Sequence, residues 1–85
     1  MNKEEIITSL KEILFKYFDV SEEFEEENFN KTLTGHFSFN YTDLVYLYIL
    51  IEKTFSITID SRQLKGYRCN TINGITKVIM ESVLL

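Results

Sequence analysis

What most limits this chain is the spacing of its apolar residues. Three separate stretches repeat them every three to four positions, while alternation with a period of two occurs only once. The first spacing lays apolar side chains along one face of a helix, and the second marks a strand. The lone alternating stretch is SITID at 56–60. One strand with no partner cannot satisfy its own backbone, so it reads as an extended connector. The spacing therefore predicts an all-α chain.

The first stretch runs from Lys3 to Phe18, with Ile6, Ile7, Leu10, Ile13, Leu14 and Phe18 on one side and Glu4, Glu5, Lys11, Glu12 and Lys16 between them. Glu4 and Glu5 fall in the first turn, where the helix dipole favours negative charge. A second helix is expected from Asn40 to near Thr54. Asn is a favoured cap, and Asp43 stands three residues on, placed to return the bond as in a capping box. Leu44, Leu47, Tyr48, Ile51 and Phe55 make its core-facing stripe. A last helix is expected from Thr71 almost to the end, burying Ile72, Ile75, Val78, Ile79 and Val83 and weakened modestly by Gly74. Before it, Asp60 or Ser61 is placed to cap one short turn through Leu64, with Gly66 as its stop.

Between the first two helices lies DVSEEFEEENFNKTLTGHFSF, which has no sustained period and reads as a long connection with one short helical turn after Ser21. Such a connection must pack down with side chains of its own, and Phe24, Phe29 and Leu33 are the candidates. Its five glutamates, Glu22, Glu23, Glu25, Glu26 and Glu27, lack the Asp and Gly spacing of a calcium loop and read as a solvated acidic face. The expected architecture is one domain over 1–85, an irregular four-helix bundle of three longer helices and one short one.

Composition narrows the function classes. At 85 residues and 45% apolar content the chain has enough material for one core, but little room for a separate catalytic pocket. A formal charge of −4, with Lys and Arg scattered, argues against a nucleic-acid surface. The only cysteine, Cys69, has no internal disulfide partner, and no apolar run is long enough for a bilayer. The opening MNKEEIITSL lacks the basic flank and apolar run of a secretory signal, so a cytoplasmic setting is expected. The only histidine, His36, sits on a different connection from Cys69, with no further histidine to complete a metal set. No phosphate-cradling glycine pattern is present. Neither an enzyme nor a metal site is expected.

Several motifs in this order resemble an acyl carrier protein: Phe29, Leu33 and Gly35 as F-x-x-x-L-x-G, then NYTDL at the second helix start, EKTFSITI from Glu52 to Ile59, and TINGI from Thr71. The resemblance spans nearly the whole chain. More narrowly, LTG followed by a Phe and then DLVYL at Asp43 to Leu47 is similar to the acyl-carrier-related proteins of peptide maturation systems. The resemblance implies a serine at the first position of the second helix, carrying 4′-phosphopantetheine whose thiol holds an acyl group. A helix start suits that phosphate physically. Aligned from Glu52 and Phe55, the serine's place is held by Tyr41, a residue that does not accept the arm in such proteins. Aligned from Gly35, the place falls on Ser38, with Phe37 where an acidic neighbour is expected and a second helix three residues longer.

The resemblance also implies an acidic outer face on the second helix, for docking to basic patches on partner enzymes. Here that face carries Thr42, Tyr46, Ile49 and Lys53, and only Asp43 keeps the acidic character. Either the long connection folds over Tyr46 and Ile49, or Tyr41, Asp43, Tyr46, Ile49 and Lys53 form an aromatic and aliphatic contact surface. The expected function is a module without the arm that binds peptide-modifying or other biosynthetic enzymes, as a monomer or weak homodimer. The alternative is a working carrier with the arm on Ser38.

Overall fold

The structure is a computed structural model that describes residues 2–21, 24–64 and 68–83. It is all-α: α1 spans Lys3–Phe18, α2 Tyr41–Phe55, α3 Ser61–Leu64 and α4 Ile72–Val83. Among the described residues no strand forms: Ser56 is a turn residue closing α2, and 57–60 is a connector without regular structure. No helix among them is long and apolar enough to cross a membrane.

The two longest helices begin on the same device. In α1 the Asn2 side chain accepts the Glu5 amide at 2.9 Å, and Glu5 Oε1 accepts the Asn2 amide at 3.3 Å. In α2 Asn40 and Asp43 do likewise at 2.8 and 3.0 Å. Each box satisfies two backbone donors that a helix start leaves free. Both helices then stop on a residue in the left-handed region, Asp19 and Ser56, each with φ of 55°.

α1 packs against both α2 and α4. The core joins Ile6, Leu10, Ile13 and Leu14 of α1 to Leu47, Ile51 and Phe55 of α2 and to Ile72, Ile75, Val78 and Ile79 of α4. The long connection closes this core with Val20, Phe24, Phe29, Leu33 and Phe39, all buried. The three residues expected to pack it down are thus joined by two more.

Several details differ from the sequence reading. The short turn of the connection is a 3-10 helix at Glu26–Asn28, further along than Ser21, because Phe24 and Phe29 draw the chain inward on either side of it; their ring centroids lie 4.9 Å apart. The connection is tied to the start of α4 through backbone bonds from Leu33 N to the Asn70 carbonyl and from Asn73 N to the Phe29 carbonyl. Gly74 is more than a weak spot in α4. A Cβ there would run into the Arg68 carbonyl group, so the close pass of the 68–71 segment over α4 requires glycine at this position. The expected stop at Gly66 lies outside the described residues.

Candidate functional site

The capping box sets the register at the start of α2. With Asn40 as cap, Tyr41 is the first helical residue, and its side chain is 81% exposed. Ser38 lies before the cap, exposed, with φ of 59° in the left-handed region. Continuing the helix back through Ser38 would require that residue to leave its present conformation and the Asn40–Asp43 exchange to break. Ser38 instead borders an open hollow with Phe15, Lys16, Phe37 and Asp43.

Further along α2 the outer face stays open. Tyr46 is 44% and Ile49 43% exposed, and Lys53 is exposed with no ion-pair partner among the described residues. The long connection therefore does not bury this stripe. Its apolar residues are used in the core beneath, and the ring neighbours of Tyr46 come from α1, Tyr17 edge-on at 5.9 Å and Phe18 at 5.6 Å. Tyr17 is itself exposed, with the Lys16 ammonium over its ring at 5.3 Å.

Sequence reasoning passed over two residues of this surface. Val45, 39% exposed, lies four positions before Ile49, so helical spacing held the signal for it. Leu64, 42% exposed, sits on α3, and only the tertiary fold brings it beside Val45. The two residues flank a half-open cleft of about 300 Å³ that also involves Leu44, Tyr48, Cys69, Thr34, Tyr41 and Asn70. Among the described residues no charged side chain lines it.

The wall of that cleft is held by hydrogen bonds from two directions. The Tyr48 hydroxyl donates to the Cys69 carbonyl at 2.8 Å. From the other side, Asn70 accepts the Thr34 amide at 3.2 Å and donates to Thr34 Oγ1 at 3.0 Å. Burial pushes the Tyr48 phenol up to about 12, with the neighbouring Cys69 adding to the shift. Burial likewise pushes the Cys69 thiol up to about 11 against a partial pull from Arg68, and its sulfur donates to the Gln63 carbonyl at 3.6 Å. At neutral pH this thiol is protonated and a poor nucleophile. His36 is exposed, with its ring against Phe37 at 4.9 Å.

The connector after α2 is tied down locally. Glu52 Oε2 accepts the Ile59 amide at 2.9 Å, which occupies the one carboxylate in the second half of α2. Asp60 caps α3, and the Gln63 amide, together with that of Arg62, holds its carboxyl below the ordinary range. Of the side chains expected to form the contact surface, α2 places Tyr46, Ile49 and Lys53 on its outer face. Asp43 stands half-buried to one side at the helix start, and Tyr41 lies toward the cleft. No family model matches the chain, and neither a curated protein nor a solved structure does.

Proposed function

We propose that this chain is a carrier-like module that lacks the prosthetic arm and acts as a non-catalytic binding partner or scaffold for enzymes that modify a peptide, with the outer face of α2 as its contact surface. The observation that carries the reading is the register at the start of α2: a capped Asn40 followed by an exposed phenol at the first helical position. The residues present do not fit 4′-phosphopantetheine in the manner the resemblance implies. That manner needs a serine at the first helical position, where Tyr41 stands, and Ser38 lies outside the helix.

The chemistry of the face supports the second half of the reading. Aromatic side chains beside aliphatic ones, with few charges, are the composition that anchors protein interfaces. Docking through such a face relies on desolvated apolar contact rather than on the acidic steering of ordinary carriers.

A second reading keeps the arm, on Ser38, because that hydroxyl is exposed beside an open hollow near the helix start. Incubation with a promiscuous phosphopantetheinyl transferase and coenzyme A, followed by intact mass measurement, separates the two. The armless module keeps its mass. A gain of one arm that disappears in Ser38→Ala would establish the carrier instead.

A further inference from the structure

We draw no further inference here: the strongest candidate, the half-open apolar cleft that Leu44, Val45 and Tyr48 of α2 form with Leu64 of α3 and Cys69, carries nothing, because no charged side chain among the described residues lines it and nothing in the structure shows what fills it.

Discussion

Gly74 and Tyr48 show how much of this small fold rests on single groups. At Gly74 the obstacle is backbone, the Arg68 carbonyl, and a backbone atom cannot rotate away as a side chain does. Gly74→Ala is therefore expected to destabilise the protein by about 1–3 kcal/mol, the usual cost of overpacking, although alanine is the better helix former. Urea unfolding measures this, and a stabilised variant would contradict the packing described. Tyr48 ties α2 to the 68–71 segment through one hydroxyl. Tyr48→Phe should cost about 1 kcal/mol. The same group makes a pH prediction. Its folded pKa, about 12, lies above the ordinary 10.0, so the protonated phenol is favoured by folding. Its contribution is whole below pH 10 and is lost as pH rises through 12. Cys69, raised from 9.0 to about 11, acts in the same direction over a window one unit lower. Stability should therefore fall between pH 9 and 12, and ultraviolet titration should find a tyrosine step near 12 that disappears in Tyr48→Phe.

At the scale of elements, α1 and α2 were legible because their starts are local. A capping box involves residues three apart, and both partners stand in the sequence beside the apolar period they introduce. Asn40→Ala should cost about 1 kcal/mol and fray the first turn of α2, as hydrogen exchange of the Thr42 and Asp43 amides would report. The connection was legible only in part. Its apolar residues announced that it packs, but its path depends on Asn70 and Asn73, side chains 36 and 43 positions away from their partners. No local pattern encodes bonds of that span. On the outer face of α2, Tyr46→Glu combined with Ile49→Glu should leave the fold intact, because both side chains already face water. Capture of a modifying enzyme should be lost in that variant. Binding that survives in a folded double variant would place the interface elsewhere.

At the scale of the molecule, the division of labour among apolar residues decides what is left for function. α1 packs against the inner stripe of α2, α4 and the connection close the same core, and most of their apolar side chains are used there. The outer stripe is left with aromatic and aliphatic groups in water. That outcome was one of two open from the sequence, since periodicity alone does not say whether a twenty-residue connection will lie over a helix or under it. The cleft beside Val45 was not legible at all, because it is made by α3 and the 69–70 segment meeting α2. The account depends above all on where α2 begins. Backbone carbon chemical shifts measured by NMR along 36–45 read this directly. Helical shifts should start at Tyr41, with Ser38 showing the values of a left-handed residue. Helical shifts that begin at Ser38 and run unbroken into Leu44 would put a serine hydroxyl on the first turn and contradict the account.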